Sequence, residues 1–79
     1  MSDTTTANIG GRDITFDPFT DFVVQVGKGK SGSYKTRYVI TGDLRQALFY
    51  YAGINIGFGY KKRLIAPKLG SKPLLQAWA

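Results

Sequence analysis

The chain has 79 residues, which is enough for one small domain with a single core. It contains no Cys and no His, and all five of its acidic residues are Asp. This composition excludes disulfides and removes thiol nucleophiles, imidazole bases and the commonest transition-metal ligands. We therefore expect a protein that is not an enzyme and that carries no cofactor and no metal.

Eleven Lys and Arg residues against five Asp give a formal net charge of +6. Residues 1–27 hold one Arg and four Asp, a net charge of −3, whereas residues 28–79 hold ten basic residues and one Asp, a net charge of +9. Such a concentration of positive charge predicts a basic surface and an anionic partner. The alternative is that the basic residues are scattered over the surface for solubility.

The N-terminal residues lack the basic and apolar regions of a secretory signal. The longest mostly apolar run, residues 47–54, is far shorter than the roughly 20 residues that cross a bilayer. We therefore expect a cytoplasmic protein without a membrane-spanning segment.

Residues 1–13 lack a sustained apolar period, which predicts a flexible N-terminal arm. Residues 14–79 are then expected to form a single α+β domain, with a short strand that begins near Ile14. Alternating residues over 22–27, rich in Val, predict a second strand.

The returning strand of a hairpin is predicted over residues 34–41, after a turn rich in Gly and Ser. Tyr38 and Ile40 alternate there with Arg37, Val39 and Thr41. In an antiparallel sheet with one solvated side, we expect Lys35 and Arg37 on the face opposite Tyr38 and Ile40.

A helix is predicted to begin after Asp43, because this carboxylate can accept a hydrogen bond from the N3 amide of Gln46. Gly53 lies where a glycine in the left-handed conformation commonly ends a helix. One apolar stripe of the helix is formed by residues at positions i, i+3, i+4 and i+7: Leu44, Ala47, Leu48 and Tyr51.

Beyond a loop rich in Gly at residues 55–59, residues 60–66 predict a strand that Pro67 ends. A C-terminal tail follows from about residue 67, and its last residues are expected to form a helical turn that begins at Pro73.

The predicted fold is therefore a small two-layer α+β domain, in which an antiparallel sheet of three to four strands carries one helix on one face, in the order β-β-β-α-β. Its predicted core consists of apolar residues from the strands, the helix and the tail: Phe22, Val24, Val26, Tyr38, Ile40, Leu44, Ala47, Leu48, Tyr51, Leu64 and Trp78.

Residues 27–32 match the pattern G-x-G-x-x-G. A dinucleotide-binding loop must open a helix, whereas this loop leads into the predicted strand at residues 34–41. Two interpretations remain. The loop is either a solvated hairpin tip or a basic tip that lies along a phosphate backbone.

The favoured function is a small basic binding protein that contacts the phosphates of DNA or RNA through this hairpin and through a Lys-Lys-Arg strand. The alternative is a small phage-type inhibitor or adaptor that binds and blocks an acidic protein or a ribonucleoprotein effector complex. Small size, a basic hairpin, one helix and a lack of catalytic residues are found in both classes of protein. A homodimer through a sheet edge is a further option. The candidate binding residues are basic or aromatic: Lys28, Lys30, Lys35, Arg37, Phe58, Tyr60, Lys61, Lys62 and Arg63.

Overall fold

The computed structural model describes residues 3–78, and the expected α+β class is confirmed. Within these residues, six strands form two antiparallel sheets, and one helix follows the fourth strand. The elements, in chain order, are β1 (Thr5–Ile9), β2 (Arg12–Phe16), β3 (Asp21–Lys28), β4 (Lys35–Thr41), α1 (Leu44–Gly53), β5 (Tyr60–Ile65), a 3-10 turn (Pro67–Leu69) and β6 (Leu75–Trp78).

The main sheet has the strand order β4-β3-β5-β6, so β3 lies inside it and β4 and β6 form its edges. On β3, Phe22 and Val24 are fully buried. Val24 lies opposite Tyr38 on one side and opposite the fully buried Leu64 on the other. These residues face α1, and this face of the sheet carries the core.

A bulge interrupts the pairing of β3 with β4. The register shifts between Val24 and Gln25, so that Gln25 pairs with Thr36 and Arg37 is the extra residue. Side chains alternate between the two faces of a sheet, and an extra residue in one strand reverses the faces to which the side chains beyond it point. Lys35 therefore pairs with Val26 on the face that carries α1.

This bulge corrects the expectation that Lys35 and Arg37 point away from Tyr38 and Ile40. Both basic residues line a depression together with Val26, on the helix side of the sheet.

The start of α1 matches the prediction, whereas its end does not. Asp43 caps the helix by accepting a hydrogen bond from the Gln46 amide at 3.0 Å. Gly53 is the last helical residue and has no positive φ, and the chain leaves the helix through Ile54 with φ −78°. The predicted left-handed glycine at this end is therefore wrong.

Residues 5–16 form a hairpin, which corrects the expectation of an arm for residues 5–13. Its buried side chains belong to the same core as the main sheet: Ile9, Ile14 and Phe16. The Phe16 ring packs edge-on against Phe22 with centroids 5.1 Å apart. Residues 1 and 2 of the predicted arm lie outside the described residues.

The tail forms β6, which pairs with β5, so the predicted helical turn after Pro73 is wrong. Leu74 is buried, whereas Trp78 on β6 is 57% exposed. Trp78 and Tyr38, which is 40% exposed, were both expected in the core and are not buried. Within residues 3–78, α1 is too short to span a membrane.

Candidate binding surface

The fold separates acidic from basic side chains along the strands. At one end of the main sheet Lys28 pairs with Tyr60 and Val26 pairs with Lys35, and at the other end Asp21 pairs with Thr41. No Asp occurs in the stretches 22–42 and 44–78. The described residues extend over 45 Å by about 22 Å, and Lys28 and Lys35 lie at the end of the main sheet opposite to Asp21.

A depression of 310 Å³ opens at this basic end, on the helix side of the sheet. Lys28 comes from β3, Lys35 and Arg37 come from β4, and all three side chains are exposed. Ser33 and the ring of Tyr60 complete its polar and aromatic lining. The Lys28 ammonium lies 6.0 Å from the centroid of the Tyr60 ring. We call this site the basic depression.

One backbone hydrogen bond holds the tip of the β3–β4 hairpin beside the loop that precedes β5, and a second one closes a turn within that loop. The Gly29 amide donates to the Gly59 carbonyl at 2.7 Å, and the Tyr60 amide donates to the Gly57 carbonyl at 3.0 Å. Phe58 lies at the end of this loop and is 98% exposed, and Lys30 is exposed on the hairpin tip. Both flank the basic depression without lining it.

Lys61 is held inside the fold. Its side chain is only 5% exposed, and its ammonium donates to the Lys30 carbonyl at 3.2 Å. The ammonium also lies 4.6 Å from the Tyr34 ring centroid and 5.3 Å from that of Trp78. A Cβ at Gly27 would lie 2.8 Å from Lys61 Cε, so the glycine makes room for this lysine, which anchors the hairpin tip.

Lys62 closes the C-terminal end of α1. Its ammonium donates to the Tyr51 carbonyl at 2.9 Å and to the Ile54 carbonyl at 3.2 Å, and it lies 4.6 Å from the centroid of the Tyr51 ring. The last carbonyls of a helix lack intrahelical partners and carry the negative end of its dipole. A cation from the neighbouring strand satisfies them here, in place of the glycine cap that the sequence predicted.

Arg63 lies on the face of the sheet away from α1. Its Nε donates to Gln25 Oε1 at 2.7 Å, and its guanidinium carbon lies 3.8 Å from the centroid of the Tyr34 ring. The adjacent cations Lys61, Lys62 and Arg63 therefore do not form one basic patch. The alternation of side chains along a strand is the signal that separates Lys62 from its two neighbours.

Of the nine candidate residues, the structure brings four together around the basic depression: Lys28, Lys35, Arg37 and Tyr60. Sequence reasoning missed Ser33, which also lines the depression. The sequence suggested Tyr34 as a stacking ring without including it in the nine, and the structure packs it over Arg63 and Lys61.

Burial raises the pKa of Tyr51 above the ordinary tyrosine value, and the nearby Tyr34 adds to this effect. Within residues 3–78, no three acidic side chains cluster closely enough to hold a metal ion. The basic depression therefore offers hydrogen-bond donors and positive charges to an anion, next to an aromatic ring.

No protein-family model, no curated protein and no solved structure matches this chain.

Proposed function

We propose that this chain is a small, non-enzymatic protein that binds nucleic acid through its phosphates, with the basic depression as the binding site. One observation carries the proposal. Three exposed cations from two strands, Lys28, Lys35 and Arg37, line one concave site, and the whole stretch 22–42 contains no acidic residue.

The chemistry of these side chains fits a phosphate backbone. An Arg guanidinium can donate two parallel hydrogen bonds to one phosphate, whereas Lys acts as a flexible point charge. Exposed aromatic rings such as Tyr60 and Phe58 offer π-faces on which a neighbouring base can stack. Lys30, on the adjoining hairpin tip, is a fourth exposed cation within the same region.

A compact mononucleotide site at the G-x-G-x-x-G sequence is a weaker proposal. Phosphate-binding loops of that pattern direct the N-terminus of a helix towards the ligand, and this loop leads into β4. We therefore assign the glycine-rich loop to the conformation of the hairpin tip.

Charge-matched variants test the proposal. Lys28→Glu with Lys35→Glu changes the net charge by the same amount as Arg45→Glu with Lys72→Glu, two exposed positions outside the basic depression. We expect the first pair to weaken binding of a labelled oligonucleotide at least tenfold and the second pair to weaken it much less. Fluorescence anisotropy at one fixed salt concentration measures both. Equal losses would mean that net charge alone causes binding, and would contradict the proposal.

A second candidate function is the inhibition of a protein or ribonucleoprotein effector complex through the same end of the molecule. The observation that favours it is Phe58, which is 98% exposed at the side of the basic depression. A large apolar side chain in that position is typical of a binding hot spot. A protein complex that survives nuclease treatment and high salt, and that Phe58→Ala abolishes, would favour this alternative.

A homodimer through β4 or β6, the two edge strands of the main sheet, also stays a proposal. Its test is the sedimentation coefficient of the protein over a concentration series.

A further inference from the structure

The face of the main sheet opposite α1 carries a second set of polar and aromatic side chains that the proposed function does not use. The helix and the β1–β2 hairpin pack on the other face, where the shared core lies. On the opposite face, which we call the open face, Val39 is 58% and Trp78 is 57% exposed, whereas Val23 and Lys61 are buried. We propose that the open face binds the unpaired bases of a single-stranded nucleic acid.

This inference rests on the proposed function, because the basic depression supplies the phosphate contacts. It narrows the ligand to single-stranded nucleic acid, because a duplex keeps its bases stacked and paired and cannot present them to a flat sheet.

A row of polar side chains crosses the open face, with one residue from each strand. Gln25 on β3 pairs with Thr36 on β4 and with Arg63 on β5, and Arg63 pairs with Gln76 on β6. Neighbouring strands lie about 4.8 Å apart, so the row is about 14 Å long. Amide and guanidinium groups are the side chains that form paired hydrogen bonds with base edges.

The row is partly held in place by its own contacts. The Gln25 amide donates to Thr36 Oγ1 at 3.2 Å and accepts from Arg63 Nε at 2.7 Å. Within residues 3–78 the Arg63 guanidinium bonds only through Nε, so its two terminal nitrogens remain available as donors. Gln76 is exposed on the edge strand, which places a second amide within reach of a ligand.

Aromatic rings lie beside this row. Trp78 is two residues along β6 from Gln76, which corresponds to about 7 Å, and Tyr34 stacks over the Arg63 guanidinium. Lys61 lies between the two rings. A base needs a π-face and donors at its edge, and the open face supplies both at this spacing.

The charge of the open face fits a polyanion. Its accessible charged side chain in this region is the partly exposed cation Arg63, because Lys61 is buried, whereas the acidic Asp21 lies four residues along β3 from Gln25, about 13 Å away. Asp21 also accepts a hydrogen bond from the Thr41 hydroxyl. Because β4 is an edge strand, a chain bound by Lys35 on the helix side can pass around this edge to Thr36 on the open face.

Trp78 is the single tryptophan of the chain, so its fluorescence reports on the open face alone. The experiment titrates the full chain with four probes: a 12-residue oligothymidylate, a 12-residue oligouridylate, a 12-base-pair duplex and inorganic polyphosphate. We expect one or both single strands to quench the Trp78 emission. Duplex and polyphosphate should bind without quenching it.

Two open-face variants and one control complete the test, with affinity measured by anisotropy or by competition. Trp78→Ala and Gln76→Ala should each weaken single-strand binding about tenfold, because the first removes a stacking ring and the second removes a hydrogen-bonding amide. Affinity for polyphosphate should not change. Gln46→Ala, an exposed glutamine on α1, should leave all affinities unchanged. Gln76→Ala keeps the test valid if Trp78→Ala unfolds the protein.

The outcomes separate the two proposals. If single strands bind but leave the Trp78 emission and the affinities of both variants unchanged, the open-face inference is overturned and the basic depression stands. If none of the four probes binds, the proposed function fails, and this inference fails with it.

Discussion

Lys62 offers the sharpest test of how the fold uses its basic residues. Replacing it with Met keeps most of the apolar stem but removes the two hydrogen bonds to the carbonyls of Tyr51 and Ile54. A hydrogen bond from a charged donor contributes about 1.5 to 3 kcal/mol, and fixing a lysine side chain costs about 2 kcal/mol. The carbonyls also regain water in the variant. We therefore expect Lys62→Met to lower the free energy of unfolding by about 2 kcal/mol.

In a domain of this size, about 2 kcal/mol corresponds to a fall in Tm of roughly 10 °C, which thermal unfolding followed by far-UV circular dichroism resolves easily. Lys35→Met is the matched control, because Lys35 is exposed on β4 and should change stability by no more than about 0.5 kcal/mol. If both variants melt at the wild-type temperature, water caps the helix as well as Lys62 does, and our assignment of Lys62 to a structural role is refuted.

Three further predictions concern the fold. Leu64→Ala removes a fully buried side chain and should cost about 2 to 5 kcal/mol in urea unfolding; an unchanged midpoint would place Leu64 outside the core. Gly42→Ala should lower Tm clearly, because Gly42 has φ +73° and a Cβ there would lie 2.5 Å from the Pro18 carbonyl oxygen; a higher Tm would contradict this geometry. The raised pKa of Tyr51 means that the unfolded chain loses this proton first, so stability should fall as the pH rises above about 10. Tyr51→Phe should reduce that alkaline loss, and an identical pH profile would count against burial of the hydroxyl.

Local patterns predicted the centre of the fold well. The alternation of Phe22 and Val24 identified β3, and Asp43 with its spacing to Gln46 identified the start of α1. Both signals depend on neighbours in sequence, so they need no knowledge of the rest of the chain.

The features that the sequence did not reveal depend on distant contacts. The bulge at Arg37 reverses the side of the sheet on which Lys35 lies, and it is visible only in the pairing of β4 with β3. The end of α1 was missed for a similar reason, since its cap comes from Lys62 on β5. Six of the predicted core residues are buried, whereas Trp78 lies on the open face because β6 joins the sheet.

The N-terminal hairpin was missed because its strands are short and mostly polar. In β1 only Ile9 is buried, and in β2 only Ile14 and Phe16. The sequence did contain one signal, the Gly10-Gly11 pair, which is typical of a two-residue hairpin turn. Its strands pair across that turn, from Ile9 opposite Arg12 to Thr5 opposite Phe16.

The sequence also predicted only part of how the basic side chains are arranged. The sequence predicted a basic surface, and the strand register places Lys28, Lys35 and Arg37 around one depression. Which cations stay available could not be predicted, because Lys61 and Lys62 are held by carbonyls from elsewhere in the chain.

The salt dependence of binding to a single-stranded oligonucleotide tests the central claim most directly. Each phosphate contact contributes about −0.7 to the slope of log K against log salt. Contacts from Lys28, Lys30, Lys35 and Arg37 should therefore give a slope of about −3, whereas seven contacts that include Lys61, Lys62 and Arg63 would give about −5. The Lys28→Glu and Lys35→Glu pair should bring the slope to about −1.4. A slope near zero, or one that this pair leaves unchanged, would contradict phosphate binding at the basic depression.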